Sequence, residues 1–167
     1  AGADYITTNT FRTTPRAFKK TGLSTKEAYD KSKESFDLAI TAAKKASNEK
    51  IKILGSIAPL EDCYLPQLFP GEKIAKKEFE EIGEWFHSEK IDYFLLETMN
   101  SIIETKICLD EISNLNKPIW VSFALKDSEH LLSGDLLTDS ISMISKYNID
   151  CLLLNCNPLN RTEKALD

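Results

Sequence analysis

The stretch Ile91-Asp92-Tyr93-Phe94-Leu95-Leu96-Glu97-Thr98 decides the fold. From Tyr93 to Leu96 no polar residue interrupts the run, so the alternation of a half-exposed strand is missing. A strand covered on both faces reads this way. Four further runs share the character: Tyr5-Ile6-Thr7-Thr8, residues 51–57, Ile119–Phe123 and residues 151–154. Between them lie amphipathic segments. Ser24 followed by Glu27 spells a capping box, and Phe36, Ile40 and Ala43 continue one helical stripe. Phe79, Ile82 and Phe86 repeat the spacing in the next connection. Ser101 with Glu104 spells a second capping box ahead of Ile103, Ile107 and Ile112, and Leu137, Ile141, Ile144 and Tyr147 mark a fourth helix. Residues 162–166 open a fifth.

Strand and helix thus alternate through five strands, which predicts an α/β fold with a parallel sheet and covering helices. The runs open at residues 5, 51, 91, 119 and 151. A complete (β/α)8 TIM barrel takes about 250 residues, and this chain has 167. The expectation is therefore one domain over residues 1–167, an incomplete segment of a larger barrel. A small doubly wound sheet is the alternative that periodicity leaves open.

Composition narrows the function. Apolar residues make up 42% and charged residues 28%, enough for a sizeable core. With 21 basic and 26 acidic residues the net charge is −5, the wrong sign for a non-specific nucleic-acid binder. No run of 18 apolar residues occurs, so no membrane span is expected. Ala1-Gly2-Ala3-Asp4 has neither an initiator Met nor a secretory leader. Four scattered cysteines (Cys63, Cys108, Cys151, Cys156) fit reduced thiols in a cytoplasmic protein better than a disulfide scaffold.

In parallel α/β folds the carboxyl ends of the strands face the ligand, and this sequence concentrates polar residues there. Glu97 ends an apolar run, where a carboxylate needs a cation or hydrogen-bond donors. It suits either a structural ion pair or the ammonium group of a ligand. Cys156, between Asn155 and Asn157, is either a small buried hydrophobe or a metal ligand or nucleophile. No CxxC or HExxH pattern supplies a full zinc set around it. Cys108 and Cys151 read as packing, and Cys63 as a thiol of the long loop 58–72. His87 reads as a solvated helix residue and His130 as a loop residue with a modest claim to function. No GxGxxG, Walker loop or GxSxG occurs.

The strand-end residues resemble one family. Ala1-Gly2-Ala3-Asp4-Tyr5-Ile6-Thr7-Thr8-Asn9-Thr10-Phe11 is similar to the "AGAD-I-TNT-(F/Y)" segment of the homocysteine S-methyltransferases. Gly55-Ser56-Ile57-Ala58-Pro59 resembles their "GSIGP" turn, and Leu96-Glu97-Thr98 their "ET" element. Pro118-Ile119-Trp120-Val121-Ser122-Phe123 resembles "P-W-SF", with Ser133-Gly134-Asp135 beyond it, and Leu154-Asn155-Cys156 resembles "NC". The matches run in order along nearly the whole chain.

The resemblance implies a (β/α)8 barrel of which this chain carries about strands 2 to 6, the first strand and the last two being missing. It implies methyl transfer from S-methylmethionine or S-adenosylmethionine to the zinc-bound thiolate of homocysteine, forming methionine. Cys156 would be a zinc ligand, Glu97 would hold the substrate's amino group, Thr8 would line the homocysteine site and Asn155 would accompany the cysteine. Ala58 stands where the family has glycine, and Leu60-Glu61-Asp62-Cys63-Tyr64-Leu65 replaces "YGAYL". The "GGCC" pair, which would supply two further Cys ligands for Zn2+, is absent here, as is "DGG". The segment alone is therefore expected to be inactive, to bind zinc weakly or not at all, and to self-associate through exposed sheet edges. The alternative reading is a non-catalytic barrel fragment or a small-molecule-binding α/β domain without metal.

Overall fold

A computed structural model describes residues 2–47 and 50–166. Five strands form one sheet in chain order, β1 (Tyr5–Thr7), β2 (Lys52–Ile57), β3 (Tyr93–Met99), β4 (Ile119–Phe123) and β5 (Ile149–Leu154), each parallel to the next. The connections carry α1 (Pro15–Lys19) and α2 (Thr25–Ala46), then α3 (Glu72–His87), α4 (Ile102–Ile112) and α5 (Leu137–Ile144), with α6 (Leu159–Leu166) after β5. The α/β expectation holds, and the open parallel sheet corresponds to a portion of a TIM barrel. Strand limits differ from the sequence reading by up to three residues: β3 starts at Tyr93 and runs on through Glu97 and Thr98 to Met99, and β5 starts at Ile149. The short helix α1 was not legible, because five residues are too few to show a stripe.

Alternate strand residues face the helices. Ile53, Ile57, Phe94, Leu96, Val121 and Phe123 share one core with Phe36, Ile40, Phe79, Phe86 and Leu109. Gly55 sits on this side because Phe86 of α3 and Ile91 of the connection after it pass too close for a side chain: a Cβ there would lie 2.6 Å from Ile91 and 2.8 Å from Phe86. The opposite face of the sheet is concave. Tyr5 of β1 touches Trp120 of β4, ring centroids 4.8 Å apart, and both rings meet Tyr93 of β3. Strands about 4.8 Å apart would place β1 and β4 roughly 14 Å apart in a flat sheet. Only a strongly curled sheet brings those rings together, as in a barrel wall. At the sheet's two ends, Tyr5 is 42% and Leu152 40% exposed.

The capping box at Ser24 forms as read, with Ser24 N–H donating to Glu27 at 3.0 Å and Glu27 N–H to Ser24 Oγ at 3.3 Å. The one expected at Ser101 does not form. The α4 terminus is capped from outside, Ile102 N–H donating to Asp135 Oδ2 at 2.7 Å. This leaves Glu104 free to turn away and accept a hydrogen bond from Leu60 N–H at 2.8 Å. Ser101 Oγ is buried without a partner among the described residues. Cys63, whose place in the long loop left exposure open, is 5% exposed, because the loop folds back over the strand ends and packs the thiol inward. On α5 the expected stripe is shifted. Leu137, Ser140, Met143 and Ile144 are buried, while Ile141 is exposed. Among the described residues no helix is long and apolar enough to cross a membrane.

Candidate functional site

The site is built where β3 breaks register. Leu96 pairs with Val121 and Met99 with Phe123, so β3 spends three steps where β4 spends two. The extra residue makes a bulge of the kind that re-aims side chains beside functional sites. Within it Thr98 adopts φ 59°, a left-handed conformation that a β-branched residue seldom takes. Across the sheet end, Cys156 takes φ 56°. Asn155 joins the two. Its Oδ1 accepts hydrogen bonds from Thr98 N–H at 3.2 Å and Ser122 Oγ at 2.8 Å. Its Nδ2 donates to Thr98 Oγ1 at 2.8 Å and to Cys156 Sγ at 3.4 Å. Every hydrogen-bonding position of the carboxamide is used, and this offsets the backbone strain on both neighbours.

Thr98 Oγ1, having accepted from Asn155, lies 3.9 Å from the Cys156 thiol with its own proton free to point there. The Tyr64 phenol is raised above its ordinary value, the Cys156 thiol being the largest cause. Cys156 is exposed and unpaired. It is a sulfur approached by an amide and a threonine hydroxyl at the open rim of the curled sheet.

One residue before Thr98, Glu97 follows Tyr93 and Leu95 on the concave face. The Ser56 hydroxyl donates to its carboxylate. Thr8, buried, stands behind Ser56: its Oγ1 accepts Ser56 N–H at 3.0 Å and pairs with Thr10 Oγ1 at 2.8 Å. Thr10 Oγ1 donates to Ser56 O at 2.6 Å, so the proton between the two threonines comes from Thr8. Thr8 therefore fixes Ser56, and Ser56 orients Glu97.

Of the residues singled out from the sequence, Cys156 and Asn155 are in direct contact, and Glu97 and Thr8 are tied to each other through Ser56. Thr98, adjacent to Glu97 and bonded to Asn155, links the two pairs. His130 is not brought here: its Nδ1 and N–H both lie 2.9 Å from Asp127 Oδ1, in a turn. His87 is exposed at the end of α3. Cys108 is fully buried in α4, where desolvation pushes its thiol well up. Cys151 pairs in register with Trp120 within the sheet. A cleft of about 460 Å³ lined by Arg16, Tyr29, Glu78 and Glu81 lies among α1, α2 and α3, on the helical side.

Sequence reasoning missed Ser56, Thr98, Ser122 and Tyr64. Ser56 and Ser122 sit inside apolar strand runs, and a polar residue of that kind on a barrel strand is a signal that could have found them. Left-handed Thr98 leaves no trace in composition.

A fold in which a parallel sheet curls around a rim of polar strand-end residues defines an α/β barrel class that binds ligands at its carboxyl-terminal edge. The family model for homocysteine S-methyltransferase matches residues 1–167, and the chain belongs to that family. It is 25% identical to homocysteine S-methyltransferase 1 of Brassica oleracea var. italica over 95% of this chain and 55% of that protein. It is 27% identical to the homocysteine S-methyltransferase of Escherichia coli strain K12 over 99% of this chain and 58% of that protein. The crystal structure of the E. coli homocysteine methyltransferase MmuM in its metallated form superposes with a TM-score of 0.76 at 26% identity. That match covers 99% of this chain and 62% of the other. The chain thus spans a little over half the length of the curated relatives it matches.

Proposed function

We propose that the protein carrying this chain transfers a methyl group from a small sulfonium donor, S-methylmethionine or S-adenosylmethionine, to the sulfur of homocysteine. The donor's S–CH3 bond breaks and leaves a neutral thioether. A new C–S bond forms on homocysteine, whose thiol proton is released, and the product is methionine. Family membership and the names of the relatives support the reaction class. The observation that carries the assignment is that Asn155 bonds both Thr98, the neighbour of Glu97, and the Cys156 thiol.

In this reading Glu97 binds the α-ammonium group of homocysteine, its carboxylate held in aim by Ser56 and, behind it, Thr8. An ionised acceptor makes the stronger class of hydrogen bond, and an amino-acid substrate brings a cation to this carboxylate. Asn155 holds Cys156 and the Thr98 bulge in place.

The relative's metallated form and the chemistry of Cys156 support a metal, and zinc is the cation its soft donor suits. An exposed, unpaired thiol at a strand end fits as one ligand of such a set. Among the described residues no group of three or more His, Cys, Asp or Glu could hold a metal ion, so Cys156 would share the ion with donors not among them. Bound zinc supplies one thing, a substrate sulfur kept deprotonated and nucleophilic near neutral pH. Four free cysteines support a cytoplasmic setting, and the exposed apolar residues at the sheet ends support self-association of the isolated segment.

The test is methionine formation by the whole protein from homocysteine and each donor in turn. Turnover with one sulfonium donor is expected. Turnover with neither sulfonium donor would refute the proposal.

A further inference from the structure

The reaction as described leaves Glu104 without a role, yet it is a carboxylate buried to 2% exposure on the first turn of α4. Its Oε1 accepts Leu60 N–H at 2.8 Å, in the loop that follows β2. The same loop is gripped at three more points. Asn100 Nδ2 donates to Cys63 O at 3.0 Å and Arg12 Nη1 to Glu61 O at 2.6 Å. The Glu61 carboxylate takes Arg16 at 2.9 Å and also Lys20. Leu60 and Cys63 are buried beneath these contacts, while Tyr64, the next residue, is 55% exposed. Of the four grips, only the one from Glu104 sets a buried carboxylate against a backbone N–H. Burial raises the Glu104 carboxyl to about 7, opposed by the Leu60 N–H and by the charges of Arg12 and Arg16, and reinforced by Glu61. A carboxyl keeps an acceptor oxygen whether or not it is protonated, so the contact does not depend on its charge.

We propose that Glu104 is a positioning residue: by accepting the Leu60 N–H it latches residues 58–65 over the carboxyl ends of β1 and β3, where the rim of the site lies. The inference rests on the methyl-transfer reading only for its consequence in turnover. The latch itself is a property of the loop. Reach and an acceptor oxygen are what the position requires, and Gln has both. Asp keeps the charge and withdraws the oxygen, and Leu fills the space without an acceptor.

Hydrogen–deuterium exchange on the whole protein, without substrate, tests this directly. Glu104→Asp and Glu104→Leu should each speed exchange across residues 60–65 by about tenfold, the effect of losing one buried hydrogen bond, while β2 and β4 stay protected. Glu104→Gln should exchange at the wild-type rate and keep wild-type methyl transfer, whereas Glu104→Asp should lose turnover. Glu104→Asp covers the case in which Glu104→Leu does not fold. Unchanged exchange in Glu104→Asp, or a loop as loose in Glu104→Gln as in Glu104→Asp, would overturn the proposal. An inactive wild type with an intact latch would instead count against the reaction and leave the latch standing.

Discussion

Asn155 grips Thr98 at both ends of its carboxamide, Oδ1 taking the backbone N–H at 3.2 Å and Nδ2 reaching the side-chain hydroxyl at 2.8 Å. The segment just past β5 is thereby tied to the left-handed Thr98 of β3, next to Glu97 on one side and held through Asn155 to Cys156 on the other. That conformation carries a cost. For an L-residue with a Cβ that region lies about 1–2 kcal/mol above the right-handed one.

The usual order of substitutions should therefore invert at position 98. In a regular strand Ala outranks Gly. Here Thr98→Gly and Thr98→Ala both lose the hydroxyl, but only Gly relieves φ 59°. Urea unfolding should find Thr98→Gly more stable than Thr98→Ala by about 1 kcal/mol. The opposite order would mean that the bulge is not strained.

Gly55 makes a complementary prediction on the helical face. The atoms that a Cβ would strike belong to buried side chains, Ile91 and Phe86. Gly55→Ala should cost about 1–3 kcal/mol by overpacking, read as a lower urea midpoint. A neutral result would show that α3 can shift away from β2.

Burial of Glu104 gives a pH dependence with a definite sign. Its carboxyl is raised from 4.5 to about 7, so between those values the folded protein holds a proton that the unfolded chain has released. Stability then falls as pH rises through that window and stays lower above it. Glu104→Gln escapes the loss. Its melting temperature relative to wild type should rise from pH 5 to pH 8, and a gap that stays constant with pH would contradict the assignment.

Much of this architecture could be read from residue order alone. Nearly continuous apolar runs such as Tyr93–Leu96 mark doubly covered strands, and Phe36, Ile40 and Ala43 mark their helix, because burial is periodic and periodicity survives in sequence. The rim was legible only in part. Glu97 and Cys156 stand out as chemistry at strand ends, but Thr98 and Tyr64 acquire meaning through backbone conformation and a folded-back loop. Glu104 shows the reverse failure. A Ser-x-x-Glu spacing satisfies the local capping rule, yet Asp135 from a distant loop takes the helix end and releases Glu104 to Leu60. Local pattern lost there to tertiary competition.

If Glu97 holds the substrate's ammonium, Glu97→Gln removes a charge-assisted hydrogen bond worth about 1.5–3 kcal/mol. Calorimetry on the whole protein should show homocysteine binding weakened by at least tenfold with metal content unchanged. An unaltered affinity would remove Glu97 from the site.

The most direct measurement compares wild type with Cys156→Ser in the whole protein, following zinc by elemental analysis and methionine formed from homocysteine and a sulfonium donor. The account predicts stoichiometric zinc and turnover in the wild type, and loss of both in Cys156→Ser. Full turnover by Cys156→Ser would contradict it.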